Sequence, residues 1–308
     1  MSKIVNLKEY DIVFTTSFYI KHGVSGHLYE LIDYYYICKK SGINCAILLA
    51  DGVSKQAFMD AVTCKYCFDL DISQDIHECH NPKIILTNNI CLVDGSWRLN
   101  GCTIYANNAF LLRCSEDDFT FFADSKSIKK SHILQDFKLY PERYEDLNIE
   151  VVDYVKKILW GYYIQPKPTT GDVGLFYLTT NCRAIPADQV QSIIDKQLCE
   201  EYVILTDRLS IYNHLTSDTI TVVQAPVPDI FEHFDTYLYT ATELQSDCSP
   251  RFVVECAVFG KKVVYQIDYT CAGLERRKQD IDTDLSQLEL TTDDYFITYV
   301  NQVIHDTN

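Results

Sequence analysis

Asp247, Arg251 and Glu255 stand four residues apart in the stretch SDCSPRFVVECAVFGKKVVYQ, Ser246 to Gln266. Phe252, Val253, Cys256 and Phe259 fall there at helical spacing, Gly260 supplies a stop, and Val263 to Tyr265 begin a β run. The charged residues therefore sit near and just inside the front end of a helix. A guanidinium can hold a diphosphate with its planar fork. A glutamate can accept hydrogen bonds from both hydroxyls of a ribose. One turn apart at a helix N-terminus, Arg251 and Glu255 can perform the two tasks together. The plain alternative is an i,i+4 Arg–Glu pair on a solvated face, worth about 0.2–0.5 kcal/mol.

Two other clusters carry possible chemistry. Cys64 and Cys67 form a C-x-x-C, followed by His77, Cys79 and His80, and zinc favours these ligand types. No second C-x-x-C follows, the H-x-C-H end does not match a usual finger, and the intervening stretch reads equally as a strand. The ordinary reading, without metal, is preferred. The densest basic run, SKSIKKSHILQDFK, holds Lys126, Lys129, Lys130, His132 and Lys138. Such a run is mostly a solvated loop or helix face, and it is also the first place to look for contact with nucleic acid. The net charge of −16 works against such contact, because a field of that sign repels phosphate polymers unless cations cluster.

The elements that must position these residues follow one grammar twice. DIVFTTSF (11–18) is a β-prone run of the buried, parallel kind. A glycine-bearing loop follows, then a helix through LYELIDYYYICKKSG with Leu28, Leu31, Ile32, Tyr35 and Tyr36 on one side and Gly42 as its stop. INCAILLA predicts a second buried strand and Lys55 to Val62 another helix. Short strands are expected at KIILTN, CLVDG, TIYAN and FTFFAD, and a helix over NIEVVDYVKKILWGYY. After the proline-bearing linker Ile164–Asp172 the pattern restarts: VGLFYLTT, EYVILTD, TITVVQAP and FDTYLYTA as strands, PADQVQSIIDKQL as a helix. The acidic run RKQDIDTDLSQLELTTDD reads as mostly surface, and DYFITYVNQVI as a closing helix.

This is α/β, doubly wound grammar in two Rossmann-like domains, 1–166 and 167–308, with the last helix able to pack back on the first. Strand C-termini and helix N-termini would face a cleft between them, an arrangement that suits a phosphorylated ligand. At 308 residues and 47% hydrophobic content the chain can fill such cores. It has no apolar run of about 18 residues. The charged start MSKIVNLKEYDIVF argues against a signal peptide, and the 13 cysteines read as reduced thiols, so a cytoplasmic location is expected.

Neither glycine-rich fingerprint occurs: GVSGH is not G-x-G-x-x-G, and no G-x-x-x-x-G-K-[ST] is present. The donor contacts must then come from side chains. On these residues DCSPRFVVECAVFGKKVVYQ resembles the donor-binding signature of GT-B glycosyltransferases. In that signature two acidic residues flank seven others, and the helix leads through G-K-x-V-V into a strand. Asp247 and Glu255 hold the acidic positions here, the first being aspartate where glutamate is common. The nearer likeness, over most of the second half, is to the β-glucosyltransferases of T-even phages, which glucosylate hydroxymethylcytosine in DNA; in the first half the resemblance is architectural. Their helix carries Leu-Arg-x-x-Glu, whereas here Pro250, Arg251 and Glu255 have one extra residue between the charges.

The resemblance implies GT-B architecture, two Rossmann-like domains facing each other, and a UDP-sugar donor such as UDP-glucose or UDP-arabinose with no obligatory metal. FYLTTNCRAIPADQV resembles the family's arginine-bearing loop and makes Arg183 a second diphosphate clamp. VVQAPVP resembles the segment whose backbone meets the uracil, implicating Ala225 and Val227. GVSGHLYELIDYYY resembles the loop and helix where inverting members carry a general base, implicating His27, whose imidazole suits that task.

The phage enzymes use an aspartate where TIYANNAF offers Asn107 and Asn108, and an amide cannot be a base. An inverting enzyme would then take its base from Asp94, Asp51 or His27, whereas a retaining one needs none. The expected acceptor is double-stranded DNA containing hydroxymethylcytosine, with Lys126, Lys129 and Lys130 as its contacts. The alternatives are a glycan, lipid or protein acceptor, and an inactive nucleotide-sugar-binding relative.

Overall fold

The computed structural model describes residues 10–16, 26–49, 54–78, 96–99, 102–105, 130–135, 149–155, 157–169, 171–179, 184–225, 227, 229–240, 250–266 and 272–307. These divide into two compact units. One takes the described residues up to Tyr162 together with those from Leu288 onward, and the other takes Tyr163–Gln287.

The first unit is built on a seven-stranded sheet ordered β3-β2-β1-β4-β5-β6-β7. Its strands are β1 (Ile12–Thr16), β2 (Cys45–Leu49), β3 (Ile76–Glu78), β4 (Ser96–Leu99), β5 (Cys102–Tyr105), β6 (Lys130–Gln135) and β7 (Ile149–Asp153). All neighbours pair in parallel except β4, which runs antiparallel to both β1 and β5. Leu99 stands opposite Cys102, and the two residues between them in sequence are Asn-Gly, the pair that a two-residue hairpin favours.

Helices α1 (Gly26–Lys40) and α2 (Lys55–Thr63) belong to this unit. Residues 28 to 38 of α1 are buried apart from the half-buried Tyr29, rather than along one stripe as expected, so this helix lies inside the unit. Its consecutive tyrosines can be buried because each hydroxyl finds a partner. Tyr34 donates to Tyr154 at 3.3 Å, Tyr35 to Asp75 at 2.7 Å and Tyr36 to Asp69. Gly42, at φ +80°, ends the helix in the left-handed conformation that glycine adopts without strain.

The helix expected over 148–163 is not formed. Ile149, Val151 and Val152 make β7 parallel to β6, followed by an irregular stretch and a short 3-10 turn, Trp160–Tyr162. β-branched side chains beside an open sheet edge outweigh the helical spacing of the apolar residues. The acidic run is not merely surface. It contributes helix and then a return to the first unit, with Leu288, Leu290 and Asp294 buried. Ile158 N–H donates to Leu288 C=O at 2.8 Å and Leu290 N–H to Ile158 C=O at 2.9 Å. The closing helix, Tyr295–Thr307, is present, and Asp294 accepts from the Tyr154 hydroxyl at 3.0 Å and pairs with Lys157. The strands expected at KIILTN, CLVDG and FTFFAD fall outside the described residues.

The second unit is a five-stranded, wholly parallel sheet ordered β10-β9-β8-β11-β12. Its strands are β8 (Val173–Leu178), β9 (Glu201–Thr206), β10 (Ile220–Gln224), β11 (Thr236–Tyr239) and β12 (Lys262–Tyr265). Its helices, continuing the count, are α3 (Ala187–Ile194), α4 (Leu209–Tyr212), α5 (Arg251–Val258) and α6 (Ala272–Asp284), so the closing helix is α7. Alternate strand residues feed two cores. Phe176, Tyr202, Ile204 and Leu238 pack under α3 and α4, while Leu175, Leu205, Tyr237 and Tyr239 pack under α5 and α6. A parallel sheet covered on both faces is the doubly wound arrangement, as expected from the sequence. Pro168 and its neighbours, expected as a linker, lie on this unit: Lys167 N–H donates to Glu232 and Thr169 Oγ1 to Phe234 C=O at 2.8 Å.

Candidate functional site

Helix α5 follows Pro250, whose ring fixes the entry angle and which provides no side-chain cap. The apolar residues Phe252, Val253 and Cys256 hold the helix on the sheet. Arg251, Glu255 and Phe259 recur every four residues and share another face. Arg251 Nε donates to Glu255 Oε1 at 2.6 Å, with side-chain exposures of 9% and 4%. The pair is thus formed at the spacing expected, but it is buried rather than solvated.

Tyr163, the first described residue of the second unit, joins the group. Its hydroxyl accepts from Arg251 Nη2 and donates to Glu255 Oε1 at 3.2 Å. Its ring lies 5.8 Å from that of Phe259. Tyr163 therefore runs along the same face of α5 from its C-cap to its first residue. Phe231, in the turn after β10, packs on Phe252 at 4.8 Å and Phe259 at 4.7 Å and supports the group from below.

The electrostatics are unusual. A cation in the first turn of a helix opposes the macrodipole, at a cost of roughly 0.3–1 kcal/mol when exposed. Burying it costs more unless it is paired. Glu255 and the Tyr163 hydroxyl provide that pairing. The result is a fixed guanidinium at the positive end of a helix, with a carboxylate one turn behind. An anion is attracted by both the charge and the dipole, and a hydroxyl-bearing group by the carboxylate.

Lys261, just past Gly260, is used differently. It donates to Thr169 Oγ1 at 2.6 Å and Phe234 C=O at 2.7 Å, and burial holds its pKa below the usual lysine value. It clips the 164–172 segment to the sheet. A cavity of about 340 Å³ lies between α5, β12 and α6, lined by Val253, Ala257, Lys261, Tyr265, Lys278 and neighbours. Arg251 and Glu255 are not part of it.

Of the other expected site residues, Ala225 and Val227 follow β10. Ala225 N–H donates to Thr206 C=O at 2.9 Å, and Val227 C=O accepts from Ile230 N–H at 3.3 Å. His27 is the second residue of α1, and its side chain lies outside the described residues, as does that of Lys130 at the start of β6. Part of the basic run is thus an interior strand, not a loop or helix face. Asp51, Asp94, Asn107, Asn108, Lys126, Lys129, Arg183 and Asp247 lie outside the described residues.

Cys64 and Cys67 are exposed, and His77 is engaged with the Tyr10 hydroxyl at 3.1 Å. Among the described residues no three metal-ligating side chains converge. Cys79 and His80 are not described. No helix among the described residues is long and apolar enough to cross a membrane.

Comparison with known proteins returns little by sequence. No family description matches the chain, and no curated protein matches it. Among solved structures it is similar to a mutant of S. aureus TarM, crystallised in complex with Fondaparinux, alpha-GlcNAc-glycerol and UDP. The identity is 9%, covering 96% of this chain and 92% of that one, with a TM-score of 0.45.

Proposed function

We propose that the chain is a glycosyltransferase of GT-B architecture that takes its sugar from a UDP-sugar. One observation carries the reading: Arg251 is buried at the positive end of α5 with Glu255 one turn behind it. A cation there opposes the helix dipole. A donor's diphosphate gives a reason for the arginine, and its ribose gives one for the glutamate. The parallel order of the second sheet fits this, because ligands of doubly wound sheets gather beyond the strand C-termini. Arg183 would be the second diphosphate contact, and Asp247 the second acidic position of the donor signature. Ala225 N–H and Val227 C=O already serve the backbone, so the base would be met by Val227 N–H and by the second lone pair of Ala225 C=O, which also accepts from Gln224 Nε2 at 3.4 Å.

Arginines and the helix dipole can stabilise a departing UDP without a metal. The acceptor hydroxyl would lose its proton to His27, Asp51 or Asp94 if the reaction inverts the anomeric carbon.

Hydroxymethylcytosine in double-stranded DNA is the acceptor favoured by the likeness of Asp247–Gln266 to the phage enzymes. The donor sugar would be glucose or arabinose, and Lys126, Lys129 and Lys130 would contact the strand. The net charge of −16 favours a second reading with a glycan, lipid or protein acceptor.

Mass spectrometry of hydroxymethylcytosine DNA, after incubation with the protein and a panel of UDP-sugars, tests the proposal. A hexose or pentose added to the base supports the DNA reading. UDP release that requires a different acceptor supports the second. UDP binding without transfer to any acceptor leaves a nucleotide-sugar-binding protein.

A further inference from the structure

Helix α5 has a second face with its own surroundings. Val253 and Ala257 stand two residues beyond Arg251 and Glu255, which places them roughly opposite that pair on the helix. They form one wall of the cavity of about 340 Å³ between α5, β12 and α6. A space of that size falls in the range of small-molecule sites. β12 is the edge strand of its sheet. Val263 and Tyr265 on β12 and Ile281 on α6 line the cavity and stay half-buried, although each packs against the core beneath α5 and α6.

Two lysines share this apolar lining. Lys261 Nζ donates to Thr169 Oγ1 and Phe234 C=O, both neutral, and no carboxylate pairs with it among the described residues. Burial lowers its pKa and Asp235 opposes this only in part, so its positive charge is under-compensated. Lys278 extends over the Tyr265 ring at 4.1 Å and meets Glu275 at 3.0 Å, an exposed pair of small worth. Asp282, the acidic residue of the lining, is exposed.

We propose that this cavity binds a small carboxylic acid with an apolar body. The carboxylate meets Lys261 and Lys278, and the body lies on Val263, Ile281 and the Tyr265 ring. A cationic ligand would meet two like charges, and a neutral one would leave Lys261 without a counter-charge. With Asp282 included the lining carries one positive charge in excess, which a monoanion balances and a phosphate dianion overshoots. The site lies on the face of α5 away from Arg251 and stands independently of the donor reading.

Calorimetric titration of phenylacetate and hexanoate into the full chain tests this, with phenylacetamide and hexylamine as their neutral and cationic counterparts. The expected result is saturable binding of at least one acid, tenfold or more tighter than its counterpart, roughly the size associated with a hydrogen bond to a charged group. Lys278→Met keeps the stem and removes the charge, so it should weaken acid binding roughly tenfold and leave phenylacetamide unaffected. Lys261→Met should do the same. If circular dichroism shows that loss of the contact to Thr169 prevents folding, Lys278→Met decides alone. Ala257→Leu fills the cavity and keeps both lysines, and it should abolish binding.

No binding of either acid overturns the proposal. A smaller preference over the counterparts shows an apolar cleft without charge selection and also overturns it. Acid binding that survives Ala257→Leu, or that Lys278→Met leaves unchanged, places the anion elsewhere, such as at Arg251, and contradicts the site. UDP binding, present or absent, leaves each of these outcomes as it stands.

Discussion

Arg251 and Glu255 are bound to each other at 2.6 Å across one turn of α5, both nearly inaccessible to water. An exposed pair at this spacing is worth a few tenths of a kcal/mol, whereas a buried one is costly to break on one side. Arg251→Met therefore removes the cation bound to a buried carboxylate and should destabilise the chain by about 3–5 kcal/mol in urea unfolding. The double variant Arg251→Met/Glu255→Met removes both charges and should recover most of that loss. A double variant less stable than the single one would show that the pair itself holds the fold.

Stability should depend on pH through His77. Burial and the nearby Lys55 lower its pKa below the ordinary value of about 6.5, partly opposed by Asp75. The unfolded chain then takes the proton first as pH falls. The contribution is complete above the ordinary value and is lost as pH drops through roughly 6.5 towards the lowered folded value. Chemical denaturation from pH 7 to pH 5 should show this fall, and His77→Gln should flatten it. An equal slope in the variant would assign the effect to carboxylates.

How much of this was legible in the sequence depends on the kind of signal. Continuous apolar runs such as VGLFYL and EYVILT announced parallel strands because both faces of the second sheet are covered. Gly42 and Gly260 marked helix ends and take positive φ. IEVVD was misleading, since its apolar spacing fits a helix and only the neighbouring β6 makes it a strand. The Arg251–Glu255 pair was legible as spacing, but its burial was not, because that depends on Tyr163, 88 positions from Arg251. Nothing local in WGYYIQP distinguishes that tyrosine from its neighbour Tyr162.

The thiols should separate by reactivity. Cys64 and Cys67 are exposed, whereas Cys38 and Cys45 are buried with their pKa values pushed up by burial. Brief iodoacetamide treatment followed by peptide mass spectrometry should label the first two well before the last two. Protection of Cys64 and Cys67 that a chelator removes would instead reveal a bound metal.

Charge reversal in the basic run should distinguish the acceptors. If DNA is the acceptor, Lys126→Glu with Lys129→Glu should lower transfer to DNA and reduce its salt sensitivity, because each neutralised phosphate contributes to the salt slope. UDP affinity should not change. Unaltered transfer rates would favour an acceptor other than DNA.

The pairing of Arg251 with Glu255 as a grip for a nucleoside diphosphate is tested most directly by titrating UDP into the unaltered chain and into folded Arg251→Met/Glu255→Met. Measurable binding by the first, weakened about a hundredfold or more in the second, is the predicted result, corresponding to roughly 2.7 kcal/mol or more. Equal affinity in the two proteins, or no binding by either, would contradict it.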